Sequence, residues 1–359
     1  MRADWPVIGR GEELTTIRSA LSRGVGTVVV GEPGGGKTML LRELKRLLDA
    51  DGHHAHLALA TAVGQFPVSS VDEFGVSVAG VLASAPATKT VTPQVLIVDD
   101  AHLLDAESAA ALWRLAATRR AAVVAAVRAG EPVPVDIDRL WTSGECDRVE
   151  LEPFGEGDVR VLLELVLGGD VEDRVARLLV TRSGGNALLL RELVRSGVGS
   201  GALTRRHEVW SLVADLPLGA GVRHLIQGML AGLSEDELLA AQLFALAEPL
   251  PLAVGDVLVD ASVLESLEAQ GVVVVQDIMD GPVLTLGHPL YGEVLRAEIA
   301  PLRLRRLRLE LAQAVDSSPN TRPWDTVRAT LWRVEAGAFV DAGALLDAAR
   351  LARTFSGAV

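Results

Sequence analysis

The chain has 359 residues, 49% of them hydrophobic and 23% charged, a globular composition that predicts roughly two to four domains. A net charge of −13 excludes a chain that coats a nucleic-acid backbone along its whole surface. A single cysteine, Cys146, excludes an intramolecular disulfide framework and predicts a reducing, cytoplasmic setting. No run of 18 apolar residues reads as a membrane span, and the first ten residues lack the apolar region of a signal peptide.

In chain order, the first 150 residues alternate short β-branched runs with helical spacings, which predicts a parallel α/β sheet. Strands are predicted at 27–30, 54–59, 95–98, 122–127 and 148–151, with helices near 12–22, 37–48, 71–82, 107–118 and 137–141. Ser69-Ser70-Val71-Asp72 fits a capping box at the start of the third helix. Asp105 fits an N-cap of the fourth. Beyond Pro153 the spacing is helical over 157–192, broken at Ser183-Gly184-Gly185. Residues 197–216 read as a glycine-rich connector with a short extended piece near 208–212. Helices are predicted again at 225–230, 235–247 and 263–270. A hairpin follows, with strands at 272–275 and 283–286, and this order describes a winged-helix domain. From Leu302 the chain is helical to about Arg353, interrupted near Pro319 and Pro323.

Gly31-Glu32-Pro33-Gly34-Gly35-Gly36-Lys37-Thr38 matches G-x-x-x-x-G-K-[ST] between a predicted strand and a predicted helix. Glycines allow successive backbone amides to turn into one concavity, and the following helix N-terminus adds positive potential, so the loop is a phosphate cradle. The predicted contacts to ATP or ADP are Glu32, Pro33, Gly34, Gly35, Gly36, Lys37, Thr38 and Met39, with Lys37 on the β- and γ-phosphates. The strand at 95–98 ends in Asp99 and Asp100. Asp99 with Thr38 is the predicted Mg²⁺ site, and Asp100 would orient or deprotonate the attacking water. Arg128 closes the next strand and could sense the γ-phosphate.

Two other features read as structural. His53-His54-Ala55-His56 has no further ligand at useful spacing and reads as an exposed strand entry. Arg303 to Arg308, with interleaved leucines, reads as an amphipathic helix with a solvated basic face.

Val7-Ile8-Gly9-Arg10 with Glu13, the phosphate loop, Val95–His102, Arg128, Ser183–Leu188 and Gly287-His288-Pro289-Leu290-Tyr291 occur in that order. This arrangement resembles the signal-transduction ATPases with numerous domains, the STAND class, and within it the large LuxR-family (MalT-like) transcriptional regulators. The resemblance implies a P-loop domain at 1–152, a helical lid and connector at 153–215 and a winged helix at 216–300. Residues 301–359 would then begin a TPR-like sensor array. It further implies that Val7, Ile8, Gly9 and Arg10 pass beside the adenine, that Asn186 lies near the base or phosphates, and that His288 reaches the ADP β-phosphate. Ala187 stands where the family's lid motif has proline, and no helix-turn-helix is recognisable after the winged-helix segment.

The resulting expectation is a switch in which ADP holds a closed form and ATP with an unidentified inducer permits self-association, slow hydrolysis resetting it. DNA would be reached only through a C-terminal helix-turn-helix outside this sequence. The alternatives are a mechanical AAA+ ATPase, which wants an arginine finger that the sequence does not single out, and a scaffold that holds nucleotide without hydrolysis.

Overall fold

Val28 and Val30 point to one side of a sheet and Val29 to the other, and all three are buried. Alternation puts successive side chains on opposite faces, so a strand covered on both faces must be apolar throughout. The structure, a computed structural model, describes residues 5–53, 55–60, 94–278, 281–319 and 322–356. The helix predicted at 71–82, its capping box and His54 lie outside the described residues.

Five strands form the central sheet: β1 (Gly26–Gly31), β2 (Ala55–Leu59), β3 (Gln94–Asp99), β4 (Ala121–Arg128) and β5 (Cys146–Glu150). All neighbours are parallel, in the order β2-β3-β4-β1-β5. One face carries Val28, Leu96 and Val123 against Leu112, Ile137 and Leu140 from the helices Ala106–Ala117 and Val135–Thr142. The other carries Val29, Ile97 and Val124 against Ile17 and Leu40 from the helices Gly11–Ser22 and Lys37–Ala50. Each fully buried leucine here contributes about 2 kcal/mol. Asp105 caps the helix Ala106–Ala117, accepting from the Ser108 amide at 2.7 Å. Cys146, the first residue of β5, is buried, and burial pushes its thiol pKa up to about 12.

The chain divides into two compact units, Met1–Pro217 and Leu218–Val359. The first adds to the sheet three helices, Glu156–Leu167, Asp173–Ser183 and Ala187–Ser200. It also adds a small sheet of β6 (Asp170–Val171), β8 (Val209–Leu212) and β7 (Leu203–Arg206), in that order. The predicted connector at 197–216 is therefore structured from both ends, its glycines Gly197 and Gly199 lying inside the last turns of a helix.

In the second unit the helices Ala220–Leu230, Glu235–Ala247, Leu252–Leu258 and Ala261–Ala269 accompany an antiparallel sheet. That sheet consists of β10 (Val273–Ile278), β11 (Gly281–Leu286) and β9 (Leu250–Pro251), in that order. The C-terminal carbonyls of Glu235–Ala247, which no helical amide can reach, are taken by arginines. Arg296 donates to Ala245 O at 2.5 Å, and Arg328 donates to Ala247 O. Helices Pro289–Glu298, Pro301–Ser317, Pro323–Glu335 and Ala342–Ser356 follow. Within Pro301–Ser317, Leu307 and Leu311 are buried, while Arg306 pairs with Glu310 and Arg308 with Glu335. Among the described residues no helix is long and apolar enough to cross a membrane.

Candidate functional site

Parallel pairing aligns Gly31 with Arg128, and Asp99 closes β3 at the same edge of the sheet. The loop after Gly31 holds Gly34 at φ +78° and Gly36 at φ +99°, left-handed conformations that a side chain would strain. The Gly35 amide donates back to Glu32 O at 3.0 Å, closing a tight turn. Lys37 opens the helix and is only 6% exposed. Its Nζ donates to Gly31 O at 2.7 Å and to Glu32 O at 2.9 Å, so the ammonium is held under the loop. Burial lowers the Lys37 pKa, opposed by Asp100 and, more weakly, Asp99.

Asp99 is 2% exposed, hydrogen-bonded to Thr38 and to the Asp100 amide, the latter at 3.0 Å. Burial raises its pKa, which the Thr38 hydrogen bond partly offsets. A buried carboxylate beside a hydroxyl is a hard-oxygen donor set, and a divalent cation there would restore the charge that burial disfavours, so Thr38 and Asp99 fit Mg²⁺. Asp100 leaves the strand at φ 52°, turning its carboxylate toward Arg128, whose Nε lies 3.6 Å from Oδ1. Arg128 also donates to Glu131 at 3.2 Å, and Glu131 lies 3.3 Å from His102 Nε2. Burial lowers the His102 pKa and Glu131 opposes it. Glu131 was not singled out by the sequence, where the Arg128-to-Glu131 interval of three residues was a visible hint, and His102 entered only as the end of the Val95–His102 motif.

Arg10 reaches the loop from the N-terminal side. It donates to Gly35 O at 3.1 Å, pairs with Glu13 at 2.9 Å and lies 4.4 Å over the Phe154 ring. Gly9 packs against Asp158, and Val7 and Ile8 are half-buried. Asn186 caps the helix Ala187–Ser200, and its Nδ2 donates to Pro33 O at 2.7 Å. Glu32 and Met39 are exposed. His288 belongs to the second unit, where Nδ1 accepts from the Leu290 amide at 3.1 Å as the N-cap of Pro289–Glu298.

A phosphate cradle, a carboxylate–hydroxyl pair and an arginine thus share one edge of a parallel sheet. Residues 12–127 match the family model described as an AAA domain. This segment is an AAA domain of the P-loop NTPase kind. The matched stretch begins after Arg10 and ends before Arg128 and Asn186. No curated protein sequence matches the chain. Among solved structures it is similar to the Orc1 protein of Aeropyrum pernix in complex with DNA. That likeness has 14% identity and a TM-score of 0.44, and covers 82% of this chain and 94% of that one. A Thermotoga maritima RuvB variant is similar at 17% identity and a TM-score of 0.42, over 82% and 96% of the two chains. Hsp104 of S. cerevisiae in complex with casein is similar at 20% identity and a TM-score of 0.40, over 74% of this chain and 50% of that one. At such identities and scores these likenesses decide nothing about the activity of the AAA domain.

Proposed function

We propose that the chain is a nucleotide-driven regulatory switch of the STAND type, a slow Mg²⁺-dependent ATPase of the cytoplasm whose nucleotide state governs self-association. The observation that carries this reading is the convergence of Lys37, Thr38, Asp99, Asp100 and Arg128 on one sheet edge beside the glycine loop. Lys37 neutralises phosphate charge, the loop amides bind phosphate oxygens, and Arg128 is placed to meet charge at the outer phosphate. Asp100 orients the attacking water, for which its pairing with Arg128 must open. Mg²⁺, held by Thr38 and Asp99, supplies further neutralisation of the phosphates.

In this reading residues 153–215 are the helical lid and connector, and Val7 to Arg10 flank the adenine. The second unit is a winged helix leading into a sensor array. The helices and three-stranded sheet of the second unit support that assignment, and the output would be that of a LuxR-family regulator. The AAA-domain match supports a second reading, a mechanical ATPase that remodels or loads a polymer.

Identification of co-purifying nucleotide together with steady-state ATP hydrolysis separates the two. Tightly held ADP and slow turnover are expected, whereas rapid turnover stimulated by a polymer would establish the mechanical reading. Lys37→Ala is expected to abolish nucleotide retention, and unchanged retention would refute the cradle.

A further inference from the structure

Every carbonyl from Gly31 to Gly36 has a hydrogen-bond donor, and those of Pro33, Gly34 and Gly35 receive theirs from outside the loop. Gly31 O and Glu32 O are taken by Lys37, and Gly36 O by the Leu40 amide. Pro33 O is taken by Asn186, Gly34 O by the Leu188 amide at 3.1 Å, and Gly35 O by Arg10. We infer that Asn186 and Arg10 are positioning residues that clasp the phosphate loop from outside and aim its amides.

In a planar trans peptide the C=O and the next N–H point in opposite directions. Holding Pro33 O against Asn186 therefore turns the Gly34 amide away from Asn186, and holding Gly35 O against Arg10 turns the Gly36 amide away from Arg10. An anion nest needs its amides aimed into one concavity, and a run of three glycines cannot hold that arrangement alone.

Asn186 suits this task by its chemistry. Its Oδ1 accepts from the Leu188 and Leu189 amides at 3.1 and 3.2 Å, which leaves Nδ2, a donor, facing the Pro33 carbonyl. A Cβ at position 34 would lie 2.7 Å from Asn186 Oδ1, so Gly34 is needed for the clasp to close. The two sides of the clasp are joined: Arg10 stacks on Phe154, and the Phe154 amide donates to Gly185 O at 3.0 Å, one residue before Asn186. Displacing the helix Ala187–Ser200 thus changes the geometry of the loop, and phosphate binding must by linkage bias the position of that helix.

The inference rests on the loop being a phosphate site and is tested on the full chain with a ligand that has no base. Asn186→Ser keeps a neutral helix cap but is too short to reach Pro33. Its thermal unfolding without ligand should match the parent. Its affinities for inorganic pyrophosphate and for MgADP should both fall about tenfold, equal to about 1.4 kcal/mol. Arg10→Gln should repeat that joint loss from the other side of the loop. Pyrophosphate binding unchanged in both variants, whether or not MgADP binding falls, overturns the clasp. Pyrophosphate binding that survives Lys37→Ala overturns instead the phosphate-site reading beneath it.

Discussion

The Arg128 guanidinium and the Asp100 carboxylate meet 3.6 Å apart where β3 and β4 end. Both side chains are partly solvated, so the pair contributes at most about 1 kcal/mol to stability. Arg128→Gln is therefore expected to leave the melting temperature within about 4 °C of the parent. ATP turnover, followed as phosphate release, should fall at least about tenfold if Arg128 meets charge developing in the transition state. A large loss of stability with turnover intact would make Arg128 structural.

Ala187 is the first residue of its helix, where a backbone amide has no helical acceptor. Asn186 before it is extended at φ −73° and ψ 120°, a conformation that tolerates a following proline. Ala187→Pro should stabilise the nucleotide-free protein by about 0.4–1 kcal/mol through the unfolded chain. Thermal unfolding checks this, and a drop of several degrees would show that the Ala187 amide has a partner it needs.

Glu237 lies in a ring of donors: Ser266 Oγ at 2.5 Å, the Ser234 amide at 2.7 Å and Gln270 Nε2 at 2.8 Å. The Ser266 hydrogen bond, then the Ser234 amide, lower its pKa from 4.5 to about 2. The unfolded chain thus binds this proton more tightly, so the stabilisation is complete above about pH 4.5 and is lost as pH falls toward 2. Glu237→Gln should be less stable than the parent at pH 7, with a shallower acid limb between pH 4.5 and 2. Parallel acid-unfolding curves for the two proteins would disprove the assignment.

Strands β1, β3 and β4 were legible because each is a run of apolar residues bounded by turn residues, and Asp105 because an N-cap is a local device. The hairpin of β7 and β8 was half missed, for its turn is made by His207 at φ 47° and Glu208 at φ 71° rather than by glycine or asparagine. Gly197 misled in the opposite direction. It sits in a helix because a Cβ there would come within 2.6 Å of Leu216 Cδ2, and close packing, not chain reversal, selects it. At the candidate site the strand-end acids and the lysine followed from spacing. The Arg128–Asp100–Glu131 relation did not, because it depends on the left-handed turn at Asp100. Nor did the bond from Asn186 to Pro33, which joins residues 153 apart.

That separation bears on the order in which the protein matures. All five strands of the sheet have been synthesised by residue 150, and the sheet can pair as soon as they emerge. The carbonyls of Pro33 and Gly34 gain their partners only when Asn186 and Leu188 follow. Contacts so distant in sequence form late, since a long loop must close before they reward it. A nascent chain therefore carries its finished sheet some forty residues ahead of a finished phosphate loop.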